Sequence, residues 1–153
     1  AGMGLIYLMR ELPQERLSSA VSAVAACEAV IQETVKYVKQ RTAFGKTIAD
    51  FQHTQFKLAE LEAEVTVMRV FIDRCAELLV KKELSTVEAS KAKLLATELQ
   101  GKVTDQCVQM HGGYGYMWEY PVARAYADAR VQRIYGGTSE VMKLIIGRDL
   151  LAD

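Results

Sequence analysis

The sequence predicts an all-α fold: an up-down-up-down four-helix bundle whose fourth arm is broken into two shorter helices. Three observations predict it. Apolar residues recur at intervals of three and four through most of the chain, the spacing of one helix face. Helix-ending signals divide that periodicity into three long segments and two short ones. No segment alternates apolar and polar residues as a half-buried strand would.

The opening AGMGLIYLMREL is apolar, with no cap before its first hydrophobic residues, and reads as a stretch from inside a larger protein. Pro13 suits the first turn of a helix, where a missing N–H costs nothing. Leu17, Val21, Val24, Ile31, Val35 and Val38 then follow at helical spacing, with small Ala20, Ala23 and Cys27 among them. Lys36, Lys39 and Arg41 gather at the end of this helix, where cations oppose the negative pole, and Gly45 follows.

Asp50 is the expected N-cap of a second helix. Its stripe of Leu58, Leu61, Val65, Met68, Ile72, Cys75 and Leu79 is the clearest periodic signal in the chain, and Lys81-Lys82 close it. Ser85 and Glu88 have the spacing of a capping box that opens a third helix. Its inner face of Ala92, Ala96, Leu99, Val103, Cys107 and Met110 is mostly small, and it stops at Gly112-Gly113. Pro121 begins the first half of the fourth arm. After Gly137, Thr138 or Ser139 caps the second half, carrying Val141, Leu144, Ile145 and Leu151.

At 153 residues the chain has the size of one domain with a real core. Nineteen basic and nineteen acidic residues cancel, so nothing draws it to nucleic acid in general, and no basic stripe is interleaved with aromatics. No apolar run reaches the length of a membrane span. Cys27, Cys75 and Cys107 lie far apart at apolar helical positions and read as buried reduced thiols, which points to an intracellular location without separating cytosol from mitochondrial matrix. A di-metal bundle site needs paired Glu-x-x-His motifs. Asp50-x-x-His53 is the single comparable spacing, so no metal is expected. Cys-His nucleophilic chemistry has residue type alone in its favour.

The stretches left over carry the chemistry: LPQERL at 12–17, RTAFGK at 41–46, FQHTQ at 51–55 and QMHGGYG at 109–115, with Tyr120-Pro121, Ala127–Arg130 and Gly137–Glu140 beyond. In order and spacing they resemble the C-terminal helical domain of the acyl-CoA dehydrogenase family, over essentially the whole chain. The resemblance implies FAD, an acyl-CoA substrate and α,β-dehydrogenation. It also implies an electron transfer flavoprotein or similar acceptor, and a homo-oligomer, a tetramer or dimer of dimers. It further implies an N-terminal helical domain and a middle β-domain that residues 1–153 do not include.

Many family members carry the catalytic glutamate just before the Gly-Thr turn, where this chain has Gly136. A smaller group, similar to long-chain and isovaleryl-type dehydrogenases, carries it in a Glu-Arg-Leu segment, matched here by Glu15-Arg16-Leu17. Glu15 is therefore the expected base, and LPQERL leans toward the long-chain type. Arg41 is expected on the FAD pyrophosphate, with Phe44, Gln52, Gln109, Met110, His111, Gly112 and Gly113 on the same cofactor, and Thr138 and Glu140 near the flavin. Arg16, Gly136 and Gly137 are expected on the substrate side. Each position has a plain alternative: an acid favoured by a helix dipole at Glu15, a helix-end cation at Arg41, surface amides at Gln52 and Gln109, an N-cap at Thr138. An oxidase-like flavoprotein and a non-catalytic self-association module are the competing functional readings.

Overall fold

The computed structural model describes residues 3–152. Its elements are α1 (Gly4–Gln40), a hairpin of β1 (Thr42–Ala43) and β2 (Lys46–Thr47), a 3-10 turn (Ile48–Asp50), α2 (Gln52–Val80), α3 (Thr86–His111), a second 3-10 turn (Gly112–Tyr116), α4 (Pro121–Gln132) and α5 (Ser139–Leu150). Three long helices and a fourth arm split between α4 and α5 make the predicted bundle.

α1 is longer than expected. It starts at Gly4, so Pro13 is interior and Glu15 is not in a first turn. The upstream residues Leu8, Met9, Arg10, Glu11 and Leu12 are good helix formers, and they extend the helix through the proline. Proline forfeits one backbone bond and crowds the preceding turn. With Glu15 well inside the helix, the dipole no longer explains an acid there.

The buried seam of α1 is Leu17, Ala20, Ala23, Val24, Cys27 and Ile31. Val21, expected on the inner face, lies beside that seam and is exposed. α1 packs most extensively on α3, less on α2. Small residues on both partners, Ala20 and Ala23 against Ala92 and Ala96, are all fully buried. α2 is clipped to α1 by a bidentate pair, Arg69 Nε and NH2 donating to the Glu28 carboxylate at 2.8 and 2.7 Å. That guanidinium holds Glu28 below the usual carboxylate range.

Asp50 does not cap α2. Its carboxylate accepts the Thr47 N–H at 2.9 Å and hydroxyl at 2.7 Å, closing the preceding 3-10 turn, and Phe51 stands at the α2 N-cap without a side-chain bond. At α3 the box forms as predicted: the Glu88 N–H donates to Ser85 Oγ at 3.0 Å, and the Ser85 N–H to the Glu88 carboxylate at 3.2 Å. α3 is the central helix, buried on more than the face its small residues mark. Its extra buried positions, Ala89 apart, are polar. Ser90, Thr97 and Thr104 donate to the carbonyl four residues back at 2.7, 2.9 and 2.8 Å. Satisfied within their own helix, these hydroxyls bury without desolvation cost.

A candidate cofactor cleft and a tethered glycine turn

The predicted site residues fall at two ends of the bundle. At the first, α1 ends at Gln40 and the chain turns through the small hairpin. Phe44 and Gly45 both adopt positive φ, 53° and 81°, the two-residue turn whose twist matches antiparallel strands. Phenylalanine is an unfavourable occupant of that region. Its ring is also 97% exposed. A large apolar side chain held in a costly conformation and thrust into solvent points to a contact it is shaped for.

Phe44 rims a cleft of about 830 Å³ whose lining includes Arg41, Gln109, Met110, His111, Gly112 and Gly113. Seven predicted cofactor residues, Phe44 among them, are thus brought together. Gln52 is not: it is exposed on the first turn of α2, outside the lining, which takes His53 and Thr54 instead. Gly112 (φ 60°) ends α3. Neither Gly112 nor Gly113 has an atom within 4 Å of where a Cβ would stand, so the backbone here is open to close approach.

An aromatic cluster borders the cleft. Tyr37 lies on His111 with centroids 4.1 Å apart, and Tyr114 on Tyr120 at 5.1 Å. The Arg41 guanidinium stands 5.3 Å over the Tyr114 ring and has no ion pair among the described residues. His111 donates through Nδ1 to the Cys107 carbonyl at 2.8 Å, while the Tyr37 hydroxyl donates to the His111 carbonyl at 3.1 Å. Burial pushes His111 below its ordinary range, so it serves as a neutral ring. A guanidinium free for phosphate, flat rings and bare glycine backbone suit an anionic dinucleotide.

At the second end, Glu15 is exposed beside a shallow groove with Glu11, Gln14 and Ser18. Arg16, its neighbour, is buried at 5% exposure. One guanidinium nitrogen reaches Ser90 Oγ at 3.4 Å, while Nε is buried without a partner among the described residues. Burial lowers the Arg16 pKa and the nearby Glu15 carboxylate raises it. The Gly136–Thr138 turn approaches the same place. Gly136 (φ 63°) has nothing within 4 Å of its missing Cβ. Gly137 (φ 104°) would be strained by one: Met142 Cε would stand 2.7 Å away and have to shift, with an Arg16 nitrogen at 4.0 Å. Thr138 caps α5 with its hydroxyl accepting the Val141 N–H at 3.4 Å. Glu140 lies exposed in the first turn, held below its ordinary value by its own backbone N–H and then the Thr138 hydroxyl. Thr138 and Glu140 therefore lie at the Glu15 end, apart from the other predicted cofactor residues.

Residue-by-residue reading missed Lys93. It is fully buried on α3, and Nζ donates to the Gly137 carbonyl at 2.6 Å. Two positions beyond Gly137, Ser139 Oγ donates to Glu98 at 2.6 Å and the Ser139 N–H to the Arg133 carbonyl at 3.2 Å. The available signal was a lysine within the Ala92–Ala96 small-residue face, a place where a solvated charge does not fit.

Nucleophilic and metal chemistry gain nothing. All three cysteines are buried and free, and burial pushes Cys27 up to about 12, leaving thiols rather than thiolates. Among the described residues no group of His, Cys, Asp or Glu is placed to hold a metal ion, and no helix is long and apolar enough to cross a membrane.

Residues 2–151 match the family pattern described as "Acyl-CoA dehydrogenase, C-terminal domain". The chain is 57% identical over 150 residues to the mitochondrial long-chain specific acyl-CoA dehydrogenase of Rattus norvegicus, covering 98% of this chain and 35% of that protein. The crystal structure of an acyl-CoA dehydrogenase from Geobacillus kaustophilus superposes with a TM-score of 0.96 at 47% identity, over 99% of this chain and 40% of that one. A glutaryl-CoA dehydrogenase from Mycobacterium smegmatis in complex with FADH2 does so with a TM-score of 0.89 at 25% identity, over 93% and 37%. The chain thus spans little more than a third of the length of these relatives.

Proposed function

The chain belongs to the acyl-CoA dehydrogenase family, as its C-terminal domain, and on that premise we propose that it supplies the catalytic base and part of the FAD site of an enzyme that introduces an α,β double bond into a long-chain acyl-CoA. The observation that carries this reading is the pairing at the second end. Glu15 is exposed and its carboxylate is unshared among the described residues, its neighbour Arg16 is buried toward the Gly136–Gly137 turn, and that turn has no side chain at 136.

In this reading Glu15 takes the α-proton of the thioester. A bound FAD would supply the hydride acceptor for the β-hydrogen. Gly136 leaves space for the acyl chain, and the buried Arg16 sets a positive field beside the reacting carbons, favouring the negative charge that develops as the proton leaves. Arg41, Phe44 and the Gln109–Gly113 segment hold the phosphate and adenosine end of a dinucleotide.

Glu15 and Arg41 cannot serve the same flavin. At 1.5 Å of rise per residue along α1 they are roughly 39 Å apart, longer than an extended FAD. Arg41 is therefore assigned to the cofactor of a neighbouring chain, and the working enzyme is a homo-oligomer, a dimer of dimers. Thr138 and Glu140, at the Glu15 end, attend the chain's own flavin. An electron transfer flavoprotein is the proposed acceptor, in a mitochondrial matrix or a bacterial cytoplasm.

The test uses the full-length protein that carries this chain. Mixed anaerobically with acyl-CoA thioesters of increasing length, it is expected to lose its oxidised-flavin absorbance fastest with long chains. Absence of bleaching with every thioester would overturn the reading.

A further inference from the structure

Lys93 is the least expected residue of the interior. It is completely buried, and its one hydrogen bond among the described residues goes to a neutral acceptor, the Gly137 carbonyl. It has no ion pair there. The carboxylate that acts on it, Glu98, is engaged by Arg133 at 3.2 Å and Ser139 at 2.6 Å. Another cation, Arg16, acts on Lys93 more strongly than Glu98 does. Burial first, and Arg16 second, push Lys93 below its ordinary range. A methionine would fill the same space without that cost, so packing does not account for a lysine here.

The geometry of the bond does. Gly136 and Gly137 both have positive φ, and two consecutive glycines have little conformational preference of their own to hold such a turn. The restraint has to come from outside, and α3 supplies it. Ser90 and Lys93 stand one turn apart on the same helix face. Ser90 receives Arg16 from α1 at 3.4 Å, and Lys93 grips Gly137 at 2.6 Å. Farther along, Glu98 anchors Ser139. One rigid helix therefore gauges the position of the Glu15-Arg16 pair against the turn opposite it.

We propose that Lys93 is a positioning residue: by holding the Gly137 carbonyl it registers the Gly136–Thr138 turn against Glu15. What the turn is positioned for rests on the dehydrogenase reading; that Lys93 holds it does not.

The experiment takes the full-length protein with Lys93→Met, which keeps the length of the stem and removes charge and donor. Flavin content and the KM for acyl-CoA are expected to stay within about threefold of wild type while kcat falls about 10²-fold, the signature of misplacement rather than lost binding. Deuterium uptake of peptides spanning 134–141 is expected to quicken at least about tenfold, with α2 peptides unchanged. If the methionine variant does not fold, Lys93→Arg decides. It keeps a buried cation but cannot place a donor at the same point, so a kcat loss of about tenfold at unchanged KM is expected. A kcat within about twofold of wild type, or unchanged uptake across 134–141, overturns the proposal in whichever variant folds. Wild-type protein that turns over no acyl-CoA would count against the dehydrogenase reading, while the uptake measurement would still decide the tether.

Discussion

The two glycine turns look alike in sequence and are built on opposite principles. Gly112-Gly113 is open: nothing stands where either Cβ would go, and an exposed arginine and phenylalanine flank it. Gly136-Gly137 is held: a buried lysine, a buried arginine and a methionine close on its second residue. The first turn keeps its surroundings clear, as a surface that receives a second molecule must. The second is fixed from within, as a turn must be where small displacements matter. A pair of glycines in a sequence does not say which of these it is; the difference lies in what α3 presents to each.

This contrast can be broken most forcefully at Glu15, the proposed base. Glu15→Gln in the full-length protein is expected to lower kcat by about 10²–10⁴-fold while leaving bound flavin unchanged, measured as turnover and as flavin absorbance per chain. Near-normal turnover would show that the held end is not where the proton is taken. At the open end, Arg41→Ala is expected to weaken FAD binding by about 10- to 100-fold, the loss of a charge-assisted bond, with kcat at saturating FAD little changed. Sedimentation with flavin quantitation should show the oligomer loosening together with the flavin. Full flavin content in an unchanged oligomer would remove the shared-site assignment.

Smaller effects sharpen the same comparison. Gly137→Ala meets both a positive φ and Met142 Cε and is expected to cost about 2–4 kcal/mol. Gly112→Ala meets the φ penalty alone, about 1–3 kcal/mol, and Gly113→Ala, with neither, should stay within about 0.5 kcal/mol of wild type. Urea unfolding of the three variants side by side gives the ranking; equal costs would erase the distinction between the turns. The smallest effect is that of His111. Its folded pKa is depressed by burial, against weaker opposing effects of the Cys107 carbonyl and Glu33. The unfolded chain therefore binds more protons below the ordinary histidine value of about 6.5, and stability is full above that pH and declines as pH falls. His111→Phe should flatten the decline between about pH 7 and pH 5 in unfolding measured at each pH.

Much of the architecture was legible in the residues because it is set locally. The α2 stripe, the Ser85–Glu88 box, the Gly112 stop, Pro121 at a helix start and Thr138 as a cap each need only a few neighbouring positions. Errors arose where a local signal had two outlets. Pro13 can open a helix or sit inside one, and the helix formers before it settled the matter. Asp50 had a closer donor in Thr47 than in the helix ahead. At the candidate site, the motifs located the cleft residues and the Glu15-Arg16 pair, but not the tether. Lys93 and Gly137 are 44 residues apart and Arg16 and Ser90 are 74 apart, and no spacing rule joins positions that meet only through the packing of α1 and α4–α5 on α3.

That same packing bears on how the chain acquires its site. The most extensive interface joins α1 to α3, helices separated by the whole of α2, so its contacts reward the chain only after that long arm has closed into a loop. The bonds that fix the glycine turn have the same non-local origin. A half-assembled chain can contain every helix, and even the Arg16–Ser90 contact between α1 and α3, and still lack the tethered turn, because Lys93 meets Gly137 only when the last arm has docked.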